Sequence, residues 1–206
     1  MAGREIEKLK TEWGNRFIIS AIIQGGIMTA IALVTVIIQL IFTKANIIQF
    51  LSLSFEGPAK WFFIGIIIYL ILIVAIAVTA GFYNHLQINL KRRLTSISKV
   101  LAWIHLIGMN VGGAGTTILM ICAGLIGSGV LSIFTEGNIG KENIIIMNLF
   151  IFPIASFICV LCIGAISGGL AYTITYKQKI GSCINQNTSG PHNTSLGSNP
   201  TFTASA

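Results

Sequence analysis

Polar and apolar positions along this chain segregate into long blocks. Four runs, Phe17 to Thr43, Trp61 to Leu90, Val100 to Thr135 and Asn143 to Tyr176, contain no Asp, Glu, Lys or Arg. Crossing the hydrocarbon of a bilayer takes roughly 20 apolar residues in a helix. Each run meets that length, and helices satisfy their own backbone polar groups in a solvent that offers none. The pattern predicts an all-α integral membrane four-helix bundle, with spans at about 17–43, 61–85, 100–133 and 144–176.

Two segments flank this bundle. Residues 1–16 read as an interfacial N-terminal segment, with Ile6, Leu9 and Trp13 on one face of a short helix and charges on the other. Residues 179–206 are rich in Ser, Thr, Asn and Gly, a composition expected to stay disordered. That tail carries two sequons, at Asn187 and Asn193. The apolar stretch Ile47 to Phe55 is too short to span and is expected to lie along the outer interface or to cover the helix ends. Pro153 is expected to kink the fourth span.

Charge then orients the bundle. Arg4, Lys8, Lys10 and Arg16 precede the first span, Lys91, Arg92, Arg93 and Lys99 join the second to the third, and Lys177 and Lys179 follow the fourth. Lys44, Lys60 and Lys141 are left for the opposite side. Short loops rich in Lys and Arg stay in the cytoplasm. The expected topology is N-in/C-in, with both termini cytoplasmic and a plasma or inner membrane as the location.

Composition narrows the function classes. The chain is 54% hydrophobic and 9% charged, with a net charge of +7. Soluble domains carry about 25% charged residues, so no soluble domain is left to present a basic face, and no nucleic-acid partner is expected. Proton-coupled carriers, voltage sensors and pumps use ionisable groups within the bilayer. Here only histidines offer them. Phosphate-binding loops, zinc peptidase motifs and serine triads are missing.

Small residues mark the expected packing faces, because helices in lipid associate where backbones approach closely. The third span offers Gly108, Gly112 and Gly115, then Ala123 and Gly127. The fourth offers Gly164, Gly168, Ala171 and Thr175. These two are expected to pair tightly and antiparallel. The first span offers Ala21, Gly25, Thr29 and Ala32, and the second Ala77, Gly81 and Asn84.

The candidate chemistry is sparse. His85 and His105 fall at similar depth on neighbouring antiparallel helices, as two axial ligands of haem b or ligands of one metal ion would. Cys159 and Cys162 form a CxxC inside the fourth span, but neither outer loop holds the second pair that quinone-linked thiol chemistry needs. Gln24, Gln39, Asn110 and Asn148 are uncharged polar residues of the kind that hydrogen-bond between membrane helices.

Three functional expectations result. The first is a non-catalytic or accessory subunit of a larger membrane complex, of a respiratory or other energy-transducing kind. Its partners would be the lipid bilayer and other membrane subunits, or further copies of itself. The second is a small oligomeric carrier or channel for a neutral solute, with a path lined by Gln24, Asn110 and the glycine face of the third span. The third is a b-type haem protein that uses His85 and His105.

Overall fold

A computed structural model describes residues 12–42, 46–53, 57–137 and 139–178. All regular structure among these residues is helical. Helix α1 covers Glu12–Ile41, α2 Ile47–Leu53 and α3 Ala59–Asn84, which runs on as a π-helical stretch, His85–Asn89. Helix α4 (Ser96–Ile107) continues through a π-helical segment, Gly108–Gly113, into α5 (Ala114–Gly127). A 3-10 turn at Val130–Ser132 and the short α6 (Ile133–Glu136) precede α7 (Ile144–Tyr176).

Four of these stretches are long and apolar enough to cross a membrane: Glu12–Ile41, Ala59–Asn89, Ser96–Gly127 and Ile144–Lys177, here called spans 1 to 4. The chain is thus an all-helical protein with four candidate membrane crossings.

Local signals set the ends. Thr95, in extended conformation, caps span 3 by accepting the Ser98 N–H. Asn143 caps span 4 the same way, its Oδ1 3.2 Å from Ile146 N. Span 3 stops at Gly129, whose φ of +73° is the left-handed conformation that ends helices. The third crossing is therefore shorter at that end than the 100–133 expected, because Gly129 breaks it before the apolar run finishes. At its other end it starts earlier, at Ser96, since Lys99 lies in the first helical turn outside the apolar run.

Span 1 also begins earlier than the apolar pattern suggests. Helix α1 includes Glu12, and Trp13 and Gly14 are buried among the helices. Arg16 follows without a break because its long side chain reaches back over Trp13 and Trp103, 4.9 and 4.8 Å from their ring centroids. The rest of the expected N-terminal helix, with Ile6 and Leu9, lies outside the described residues, as do the sequons and the tail from 179.

Ring contacts show which ends meet. Trp13 packs on Tyr83 and Trp103, and Arg92 lies over Tyr176, so the start of span 1, the span 2–3 connection and the end of span 4 share one end, the terminal end. Phe42 meets Phe134 at the far end, where Gly127 is tight against Pro58 and Met147. Helix α2 folds back there and buries Ile47 and Leu51, while its Ile48 N–H donates to Gln39 Oε1 at 3.0 Å. Over its described part this stretch thus covers the helix ends, one of the two placements expected of it.

Span 3 is the hub. Over half of its most apolar window is buried, against 17% for span 1 and 11% for span 4. Spans 2 and 4 flank it, and span 1 packs mainly on span 2. The core follows from this order: Phe17, Tyr69, Leu72, Ile76 and Ala102 are almost fully enclosed between spans 1, 2 and 3.

The contact faces of spans 1 and 2 differ from those that small residues suggest. Span 1 buries Trp13, Phe17, Ala21, Gln24 and Met28. Gly25 has no neighbouring atom within 4 Å of a would-be Cβ, and Thr29 and Ala32 are exposed. Span 2 buries Leu72, Ile76, Ala80 and Tyr83, whereas Ala77 and Gly81 face outward. Large side chains win these faces because they interdigitate with the tyrosines and leucines opposite, and dispersion scales with contact.

Candidate functional site

Span 3 meets span 4 through glycine. A Cβ on Gly108 would stand 2.5 Å from the Gly164 Cα, and one on Gly112 the same distance from Leu161 N. Gly115 is covered by the Phe157 ring. On its other side span 3 receives Leu72 against Gly113 and Phe62 against Gly124. The glycine face of span 3 is therefore occupied by neighbouring helices.

One polar network lies inside the bundle. Asn110, in the π-helical segment, accepts from Ser20 Oγ and from Gln24 Nε2 (2.9 Å) on its Oδ1, and donates through Nδ2 to the Leu106 carbonyl at 2.8 Å. Tyr69 donates to Gln24 Oε1 at 2.7 Å. Spans 1, 2 and 3 are thereby tied at mid-depth by side chains whose oxygens and amides are all engaged. Gln24 and Asn110 were legible as polar candidates. Ser20 and Tyr69 were not, since a hydroxyl in an apolar run usually bonds to its own helix, as Thr35, Thr79 and Thr116 do here.

His85 and His105 part company. His85 is exposed at the start of the π-helical stretch, with its Nδ1 2.9 Å from Asn89 Nδ2. His105 is buried, 7% exposed, and its ring packs against Phe17 and Tyr83 at centroid distances of 5.3 and 6.4 Å. Its Nδ1 lies 2.8 Å from the Gly164 carbonyl oxygen. A carbonyl only accepts, so Nδ1 carries the proton and Nε2 of the neutral ring presents a lone pair. Gly168 makes room for this ring, since a Cβ there would stand 2.5 Å from His105 Cε1. His105 lines a cavity that His85 does not border. Among the described residues no three His, Cys, Asp or Glu side chains gather.

That cavity has a volume of about 430 Å³ and lies between spans 2, 3 and 4. Tyr83, His105 and Gly168 form its buried floor, while Phe82, Gly169 and Thr173 are exposed at its rim. The Phe82 and Tyr172 rings approach edge to face at 6.0 Å. The Tyr83 hydroxyl is buried without a hydrogen-bond partner among the described residues.

The remaining candidates lie outside this arrangement. Cys159 and Cys162 are exposed on the outer face of span 4, and Cys122 is half-buried in span 3. Asn148 is exposed near the far end of span 4. Pro153 sits within helix α7, which continues through it to Tyr176.

No family model matches the chain, and no curated protein or solved structure resembles it at a significant level.

Proposed function

We propose that this chain is a non-catalytic, accessory subunit of a larger membrane assembly, with both termini on the cytoplasmic side. The observation that carries the reading is the direction of the unused small-residue faces. Gly25 and Gly26 on span 1 and Gly81 on span 2 each have open space where a Cβ would stand. Thr29, Ala32 and Ala77 extend those faces and are exposed. In lipid, small residues on a helix surface favour close approach of another helix. Lipid tails gain nothing from them. The Ser20, Gln24, Tyr69 and Asn110 side chains are spent on holding the bundle together, which suits a scaffold.

Charge supports the sidedness. Among the described residues the terminal end carries Arg16, Lys91, Arg92, Arg93, Lys99 and Lys177 against Glu12 alone. The far end balances Lys60 and Lys141 with Glu136 and Glu142. Such a bias keeps the richer end in the cytoplasm.

Purification from native membranes in mild detergent tests the subunit reading. Other membrane polypeptides, or further copies, should co-elute in fixed ratio, and Gly25→Ile with Gly81→Ile should release them while the chain keeps its helix content. A monodisperse single-chain particle from native membranes overturns it.

A further inference from the structure

We infer that the groove between spans 1 and 3, at its terminal end, binds a phospholipid with an anionic head group. The head-group end is built around Arg16. Its guanidinium lies 4.9 Å from the Trp13 ring centroid and 4.8 Å from that of Trp103, and the two indoles meet edge to face at 5.6 Å. Rings on two helices thus hold in place a side chain that ordinarily keeps many rotamers. Among the described residues no hydrogen bond uses its N–H donors, and its one ion pair, with Glu12 a turn earlier, is long at 3.9 Å. With 36% of the side chain accessible, an anion from the membrane surface can reach it.

Depth and charge select the head group. Indole rings favour the head-group zone of a bilayer, which puts a guanidinium held among them at phosphate level. Lys99 stands one helical turn before Trp103 on the same side of α4, exposed and without a partner among the described residues. An arginine fork beside an ammonium suits phosphate oxygens. Among the described residues Glu12 is the only carboxylate at this end, while Lys91, Arg92, Arg93 and Lys177 raise the positive potential around it. A zwitterionic head group brings a further cation into that surplus. An anionic one brings only the charge that is wanted.

Beyond the cations the groove turns aliphatic. Ile23 and Ile27 follow Arg16 on its side of span 1, and Ile107 and Val111 follow Trp103 on its side of span 3; all four are exposed. Between these walls Ser20 donates to Asn110 Oδ1 across the gap, so the polar groups there satisfy each other. An acyl chain hanging from a phosphate on Arg16 and Lys99 therefore runs toward mid-bilayer along branched aliphatic side chains.

Tryptophan quenching by lipids brominated high on the acyl chain tests this, on the full chain in phosphatidylcholine vesicles. Trp61→Phe removes the indole at the far end and leaves Trp13 and Trp103 as reporters. Brominated phosphatidylglycerol should associate at least about 5-fold more strongly than brominated phosphatidylcholine, the worth of one cation near an anionic surface. Arg16→Gln with Lys99→Gln should abolish that preference, and Glu12→Gln should raise it. Lys91→Gln with Arg93→Gln removes as much charge from the same end outside the groove and should leave most of the preference in place. Equal quenching by the two lipids, equal loss from the two charge pairs, or a lower preference in Glu12→Gln overturns the assignment. The two lipids are compared within each variant, so altered indole packing cancels. Their comparison with Arg16 and Lys99 intact decides head-group selectivity even if a charge variant misfolds.

Discussion

Gly108 and Gly164 exclude any side chain on each other: a Cβ on Gly108 would stand 2.5 Å from the Gly164 Cα, and one on Gly164 2.7 Å from the Gly108 Cα. The obstacle is backbone, which cannot rotate out of the way, so any Cβ forces spans 3 and 4 apart. That separation would also strain the His105 bond to the Gly164 carbonyl.

Gly108→Ala and Gly164→Ala should therefore each destabilise the chain by about 1–3 kcal/mol, the range for overpacking a fitted interface. Gly25→Ala and Gly81→Ala have no neighbour to meet and should be neutral or up to about 1 kcal/mol stabilising, because glycine is the weaker helix former. Thermal or denaturant unfolding of the purified chain in detergent separates the two pairs. Equal effects at all four positions would remove the packing argument.

Asn110→Leu should cost about 1–3 kcal/mol, since Ser20 and Gln24 lose a shared acceptor inside the bundle. Tyr69→Phe should cost less, about 0.6 kcal/mol, near the mean for a side-chain bond between membrane helices. A double-mutant cycle of Gln24→Leu with Tyr69→Phe should show positive coupling, because the two share the 2.7 Å bond. Strict additivity would show that the bond contributes nothing net.

Gly129→Ala is expected to be among the most damaging changes outside the spans. Its φ of +73° strains any L side chain, and a Cβ would stand 2.6 Å from the Gly140 carbonyl oxygen. The Gly129 carbonyl also accepts from Gly140 N at 3.0 Å, which draws the loop into place. A loss of about 1–3 kcal/mol in unfolding free energy is expected. Gly137→Ala has the same backbone sign, φ +71°, without a steric neighbour, and should cost about 1 kcal/mol.

Sidedness is checked with Lys141→Cys and Lys177→Cys, each in a background whose native cysteines are changed to Ala. In sealed cells an impermeant maleimide should label position 141 and reach 177 only after permeabilisation. The reverse pattern would invert the orientation inferred from charge.

How much of this was readable beforehand depends on which solvent each residue answers to. The existence and rough extent of the spans follow from length without charge, since a charged side chain in hydrocarbon costs several kcal/mol and nothing local competes with that. Faces were harder. In water, burial sorts apolar from polar and leaves a helical period, but in lipid an aliphatic side chain is at home facing either way. Val74 and Ile76 thus look alike in the chain yet point out and in. Glycine helped only where the opposite partner was also small. Gly164 faces Gly108, whereas Gly25 and Gly81 face nothing among the described residues. The pairing of His85 with His105 rested on depth along the helix, and depth says nothing of azimuth. The π-helical segments, which set that azimuth, leave no compositional mark.

The segment Gly108–Gly113 has a consequence for chain length. A π-helical turn accommodates one residue more than the α-helical turn it replaces. If these six residues closed into regular helix with none lost, everything after them would swing by roughly 100° about the axis, whereas losing one residue would let both halves keep their faces. In the first case Thr117 and Ile121 would leave Gly65, and Gly124 would leave Phe62, while α4 and His105 stayed where they are. The helix works as an axle keyed separately at each half, and the wide turn is what holds one key in phase with the other.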